Sequence, residues 1–171
     1  MKKISTSILF MLIAFSAFAA YTTTHKKKNK KIKPIKSITN NTKIKSVLMG
    51  RSACFGTCPA YTLEVFETGL IRYNGKSYVD KMGLYEKNIS PNEAIEFLTA
   101  FNSLQPDTLH YLYETKIADL PGIYYFISYQ DSVKHILNAD AGPRILYDWS
   151  KKFDSFAHFD AHWKQVKISQ P

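Results

Sequence analysis

The chain has 171 residues, 45% of them hydrophobic, and its 23 Lys and Arg against 14 Asp and Glu give a formal net charge of +9. The charge is unevenly distributed. Residues 26–36, KKKNKKIKPIK, contain seven lysines, whereas residues 44–171 contain 13 Lys and Arg and all 14 Asp and Glu. The basic excess therefore belongs to a tail, and it does not indicate a nucleic-acid-binding surface on the folded part.

The N-terminus has the order of a secretory signal. Two lysines precede the apolar run of residues 8–15, and the triplet Ala17-Phe18-Ala19 follows it. This order predicts a signal peptide over residues 1–19 that is cleaved before Ala20. No cysteine stands near that point, so we expect no lipoprotein anchor. The alternative is an uncleaved anchor helix, because the length of residues 4–20 is at the lower limit of ~17 residues for a membrane span. Either reading places the protein in the periplasm or cell envelope of a bacterium.

Residues 20–43 predict a basic disordered linker, because lysines mixed with Asn, Thr and Pro cannot bury enough apolar surface to fold. Two interpretations stay open for this segment. It is either a soluble spacer or a weak contact for anionic lipid headgroups, worth ~1 kcal/mol per lysine at the surface. The lysines in question are Lys26, Lys27, Lys28, Lys30 and Lys31. An exported chain is expected to have no nucleic-acid partner.

Residues 44–171 have the length of one ordinary domain, and they begin with strand patterns. The segment 44–50 is apolar and β-branched, and 60–66 alternates apolar and polar residues. Gly69 favours a tight turn because it tolerates positive φ. Residues 70–75 and 77–89 then predict two further strands, so this part of the chain is expected to form an antiparallel meander.

Two helices and a second hairpin complete the prediction. Ser90, Pro91 and Glu93 form a capping-box pattern at the start of a helix that Pro106 ends. A hairpin of residues 122–129 and 132–138 follows, and a second helix opens at Gly142-Pro143. The expected apolar faces are Ala94, Ile95, Phe97, Leu98 and Phe101, then Ile145, Leu146, Trp149, Phe153 and Phe156. The fold class is therefore α+β, an antiparallel sheet of about five or six strands with two helices on one face.

The order of short motifs supports a family resemblance. The stretch CFGTCPAYTLEV is followed by GLYEKNIS before a helix, DLPG before a hairpin and DAGP before the closing helix. In this order residues 44–155 resemble the DUF6438 family of small exported bacterial domains, whose activity is unknown. The common DLPT form reads DLPG here, which leaves the role of that fourth residue open. The positions that fit the family pattern are Cys54, Gly56, Cys58, Pro59, Tyr61, Asp119, Pro121, Gly142 and Pro143.

Cys54 and Cys58 are the only cysteines in the chain, and three interpretations of them stay open. In an oxidising compartment two thiols this close should form a structural disulfide that holds strand 44–50 against strand 60–66. A thiol-redox pair is the second, although redox motifs place a helix after the cysteines, where this sequence predicts a strand. The third is a copper site with His135, since thiolates select Cu(I) and the spacing resembles the Sco copper chaperones.

Other candidate sites are weak. His158 and His162 have zinc-compatible spacing but no third ligand or general-base glutamate. Asp119 and Asp140 precede Pro or stand near Gly and fit turns. No glycine-rich phosphate loop or Gly-x-Ser-x-Gly elbow occurs. The sequence thus predicts a non-catalytic domain without a cofactor, which binds an envelope protein or glycan through its sheet or an exposed edge strand.

The mature chain is predicted to begin at or close to Ala20, because the small residues Ala17 and Ala19 stand at the −3 and −1 positions of the cleavage site. N-terminal sequencing of the exported protein checks this. Recovery of Met1 from the envelope fraction would instead support the uncleaved anchor.

Overall fold

The computed structural model describes residues 44–117 and 119–167. The predicted signal peptide over residues 1–19 and the predicted linker over residues 20–43 lie outside the described residues. Within these ranges no helix is long and apolar enough to cross a membrane. The elements are β1 (Ser46–Arg51), β2 (Ala60–Phe66), β3 (Leu70–Ser77), β4 (Gly83–Asn88), α1 (Pro91–Asn102), a 3-10 turn (Pro106–Thr108), β5 (Leu112–Glu114), β6 (Ile123–Ser128), β7 (Val133–Ala139), α2 (Arg144–Phe156) and β8 (Lys164–Gln165).

The described strands form one eight-stranded sheet in the order β5-β7-β6-β1-β2-β3-β4-β8. All neighbours are antiparallel except β5 and β7. The predicted α+β class is confirmed, but the expected five or six strands are too few. The missed strands β5 and β8 lie at the two edges and have only three and two residues. Segments this short show no alternation that a sequence pattern can detect.

The predicted strand over residues 77–89 is wrong in its first half. Strand β3 continues to Ser77, residues 78–82 form a loop, and β4 begins at Gly83. Tyr78 and Gly83 have φ of 52° and 93°, respectively, and left-handed backbone interrupts a strand.

The helix ends also differ in detail from the prediction. Ser90 is the N-cap of α1 and Pro91 its first residue, but Ser90 makes no side-chain cap hydrogen bond, so the capping box does not form. Helix α1 ends at Asn102, before Pro106, which begins the 3-10 turn instead. The predicted apolar face of α1 is confirmed by the burial of Ala94, Ile95, Leu98 and Phe101.

The core lies between one face of the sheet and the two helices, which also pack on each other. Phe101 contacts Tyr125 of β6 and the rings of Trp149 and Phe153 on α2. Leu146, Trp149 and Phe153 are buried as predicted, whereas Ile145 is 40% exposed and does not belong to the apolar face of α2. Edge-to-face contacts between these rings stabilise the packing beyond the area they bury.

Neither α1 nor α2 packs on the opposite face of the sheet. Leu48, Tyr124, Phe126 and His135 lie on it and are partly or fully exposed. The Tyr124 ring lies across Gly50, where an added Cβ would be 2.0 Å from the ring. We call this surface the open sheet face.

Replacing Gly69 by Ala is predicted to destabilise the fold by at least ~1–2 kcal/mol, the cost of left-handed backbone for a residue with a Cβ. Gly69 has φ of 91°, and the new Cβ would stand 2.4 Å from the Ile89 carbonyl oxygen. Urea denaturation measures the change. Gly56→Ala is the control, because the nearest atom to its Cβ is Cys54 Sγ at 3.7 Å. Equal losses in the two variants would contradict the prediction.

Candidate functional site

Four connections lie together at one end of the sheet, which we call the loop end. They are the β1–β2 connection (52–59), the β3–β4 connection (78–82), the β5–β6 connection (115–122, of which residue 118 is not described) and the β7–α2 connection (140–143). They meet because antiparallel strands alternate in direction and β5 runs parallel to β7. All nine positions of the family pattern lie in these connections or, for Tyr61, one residue inside β2.

The two cysteines form a disulfide in the β1–β2 connection. Cys54 and Cys58 have a Cα–Cα distance of 5.6 Å, which is typical of disulfides. Both side chains are half-buried, whereas Phe55 between them is 92% exposed. The bond closes the connection between the paired strands β1 and β2, so it constrains this loop and presents Phe55 to solvent.

Hydrogen bonds hold the β1–β2 and β5–β6 connections together. The Ser52 amide donates to the Gly122 carbonyl oxygen (2.9 Å), and the Gly122 amide donates to Ser52 Oγ (2.7 Å). The Phe55 amide donates to the Asp119 carbonyl oxygen at 3.4 Å. Asp119 has φ of 62°, a left-handed conformation that Asp tolerates better than most residues, as expected of a turn former.

The β7–α2 connection is held by Asn138, which is 2% exposed. Its Oδ1 accepts a hydrogen bond from the Gly142 amide at 2.7 Å. A Cβ at Gly142 would stand 2.7 Å from the same oxygen, so the close approach requires glycine. Asp140 has φ of 65°, and its Oδ1 accepts from the Tyr147 hydroxyl at 2.8 Å. Two of the family positions, Gly142 and Pro143, thus set the entry of the chain into α2.

Arg51 connects the loop end to α2. Its guanidinium forms an ion pair with Asp154 of α2. Arg51 Nε lies 3.2 Å from the Tyr61 hydroxyl, and Arg51 Nη2 donates to Ser150 Oγ at 3.1 Å. The Tyr61 hydroxyl donates to Asp154 as well. These four side chains, Arg51, Tyr61, Ser150 and Asp154, form what we call the arginine network.

The electrostatics favour the protonated forms of Arg51 and Tyr61 in the arginine network. Burial alone would lower the pKa of Arg51, but the hydrogen bond to Asp154 and its charge outweigh burial and raise that pKa. Burial, followed by the Asp154 hydrogen bond and charge, raises the pKa of Tyr61 far above its ordinary value. The arginine therefore stays charged and the phenol stays protonated at neutral pH, which keeps the hydrogen bonds between β1, β2 and α2 in place.

A cleft of about 350 Å³ opens beside the arginine network, between the 78–82 loop and the residues that follow α2. We call it the tyrosine cleft; its main side chains are Tyr61, Tyr73, Tyr78, Asp80, Lys81 and Phe159. Tyr61 and Tyr73 stack at 5.3 Å between ring centroids. Burial, the Asp80 charge and Tyr85 raise the pKa of Tyr73 to about 12, so its hydroxyl is protonated at neutral pH.

The structure does not assemble the alternative copper ligands. His135 lies on the open sheet face against Phe126, with 4.4 Å between ring centroids, whereas the cysteines lie at the loop end and are bonded to each other. His158 and His162 are exposed in the segment after α2. Within the described ranges no three His, Cys, Asp or Glu side chains form a group that could hold a metal ion.

Sequence reasoning missed the arginine network and the 78–82 loop. Two signals were available for the network. Arg51 occupies an inward position of β1, opposite Tyr61, where a charged residue needs a partner. Ser150 and Asp154 are four residues apart, next to the apolar stripe of α2, and so share one helix face. The loop had no comparable signal, because Tyr-Val-Asp-Lys-Met is compatible with a strand.

These features define a small α+β domain in which one end of the sheet carries a disulfide-closed, hydrogen-bonded set of loops. The sequence profile described as "Domain of unknown function (DUF6438)" matches residues 45–157. The chain therefore belongs to the DUF6438 family, as its motifs predicted. No curated protein matches the chain.

Replacing Asp154 by Ala is predicted to destabilise the protein by about 1–2 kcal/mol, because Arg51 and Tyr61 lose their shared acceptor. Asp148→Ala on the same helix is the matched control. Asp148 pairs at 3.9 Å with Arg144, whose side chain is 90% exposed, and such surface pairs contribute little. Urea denaturation of both variants checks this. Equal stability of the two variants would show that the arginine network does not act as a clamp.

Proposed function

We propose that the protein is a non-catalytic domain exported to the bacterial periplasm or cell envelope, where its loop end binds an envelope component. The observation that carries this proposal is the distribution of exposed apolar side chains. Five large ones with exposures of 40–92% lie in the loop-end connections or the first turn of α2. They are Phe55, Tyr78, Met82, Ile117 and Ile145. The other three large exposed apolar side chains of the described residues, Tyr111, Leu112 and Val133, lie outside the loop end. An excess of exposed apolar side chains at one end of a domain favours an interaction site there.

The loops that carry these side chains are constrained. The Cys54–Cys58 disulfide closes the β1–β2 connection. Hydrogen bonds between Ser52 and Gly122 join the β1–β2 connection to the β5–β6 connection, and Asn138 holds the β7–α2 connection. Constraint matters for binding, because a loop that is already ordered loses less conformational entropy when a partner docks. In this proposal the disulfide is a structural staple. The lysines of the linker over residues 20–43 place the domain near anionic lipid headgroups.

The proposal predicts that a photoreactive residue at position 55 forms a specific adduct in intact cells, whereas one at position 133 does not. Val133 is the control because it is 55% exposed but lies at the opposite end of the sheet. A second variant replaces both Cys54 and Cys58 by Ser. Urea denaturation of the purified variant should show a free energy of unfolding lower by roughly 2 kcal/mol, the loop-closure contribution of so short a ring. In cells, the photoreactive residue at position 55 of this variant should still form the adduct.

A thiol-redox or copper site on Cys54 and Cys58 predicts the reverse for the double variant. Its stability would be unchanged, and the adduct at position 55 would be lost. Equal labelling from positions 55 and 133 would contradict the loop end as the binding surface.

A further inference from the structure

The tyrosine cleft offers polar groups that are not used by hydrogen bonds or ion pairs within the described part of the chain. Tyr73 is 4% exposed and lines the cleft, yet its hydroxyl makes no hydrogen bond to any described residue. Asp80 and Lys81, on the rim, are likewise without a hydrogen bond or ion pair among the described residues. The Tyr73 hydroxyl can be reached from the cleft, so water or a ligand there can satisfy it.

The rim loop is held in a conformation that costs free energy. Tyr78 has φ of 52°, which is an outlier for a bulky residue. The loop folds back so closely on β3 that a Cβ at Gly75 would stand 1.9 Å from the Lys81 carbonyl oxygen. The result is that Tyr78 lines the cleft while remaining 59% exposed. Local backbone strain that the surrounding structure enforces is typical of functional sites.

We propose that the tyrosine cleft binds one ring of a neutral saccharide. This inference rests on the proposed binding function and names the ligand class of part of that surface. A pyranose ring has C–H groups on its face and hydroxyl groups around its edge. The exposed Tyr78 ring offers a negative aromatic face to the C–H groups. The Tyr73 hydroxyl, the Asp80 carboxylate and the Lys81 ammonium offer donors and acceptors to the sugar hydroxyls.

Charge and shape favour this ligand over others. Asp80 and Lys81 carry opposite charges, so the rim selects neither an anion nor a cation. Proline-rich peptides dock in grooves lined by several exposed aromatic residues. Here Tyr61 and Tyr73 are buried and stacked on each other, which leaves Tyr78 as the exposed tyrosine of the cleft. The volume of about 350 Å³ is within the range of small-ligand sites.

The test is calorimetric titration of the domain with chitotriose, cellotriose and maltotriose, and separately with decaproline. We expect at least one saccharide to bind with a dissociation constant at or below about 1 mM. Tyr78→Ala should weaken this binding about tenfold, while Tyr78→Phe should retain it because the ring face remains. Tyr111→Ala is the matched control, since Tyr111 is 56% exposed outside the cleft, and it should not change the affinity.

Two further variants separate a binding role from a structural one. Tyr78→Gly should weaken saccharide binding about as much as Tyr78→Ala without lowering the melting temperature, because glycine accepts the left-handed backbone without strain. Tyr73→Phe removes a hydroxyl without a protein partner, so it should weaken binding several-fold and leave the melting temperature unchanged or higher.

Three outcomes would overturn the saccharide inference. They are the absence of saccharide binding, the binding of decaproline in its place, and an equal loss of saccharide affinity in Tyr78→Ala and Tyr111→Ala. The photo-adduct at position 55 is measured independently in cells. If that adduct forms while all three saccharides fail, the loop end still binds a partner and only the ligand class assigned to the cleft is wrong.

Discussion

The ion pair between the Arg51 guanidinium and Asp154 is the interaction on which the arrangement of the loop end depends. The guanidinium stands at the last residue of β1, pairs with Asp154 of α2 and contacts Tyr61 of β2. It thereby joins two central strands to the helix that covers them. A charge that is half-buried in this position costs free energy unless its hydrogen bonds are made, so strands and helix must keep this arrangement. The disulfide loop begins three residues after Arg51, and Tyr61 reaches from the arginine network into the tyrosine cleft.

The packed scaffold and the loop end therefore differ in what holds them in place. The scaffold is stabilised by the aromatic residues between α1, α2 and the sheet, with Phe101 and Phe153 fully buried. The loop end adds little to that core and instead exposes Phe55 and Tyr78. Its order comes from a disulfide, from backbone hydrogen bonds and from glycines at close approaches such as Gly75 and Gly142. In the proposed function, this construction limits the conformational entropy that the loops lose on association.

Much of the fold could be predicted from the sequence, because long elements carry periodic patterns. The alternation in β2 and the apolar stripe of α1 located both elements correctly. The edge strands β5 and β8 could not be predicted. Their strand conformation depends on pairing with β7 and β4, respectively, and not on a pattern in their own short sequences. The short sequence motifs indicated three of the four connections of the loop end. They did not indicate that these connections lie together, because that follows from the order and direction of the strands. The ion pair of Arg51 and Asp154 spans about a hundred residues, and no local pattern encodes a contact of that range.

The most direct test of the account is an amide NMR titration of the domain with the saccharide that binds best, mapped onto the structure. The account predicts shifts concentrated in the residue ranges 54–61 and 73–82 and in the segment after α2, with little change elsewhere. Shifts centred on Leu48, Phe126 and His135 would place the ligand on the open sheet face and would contradict the loop end as the binding surface.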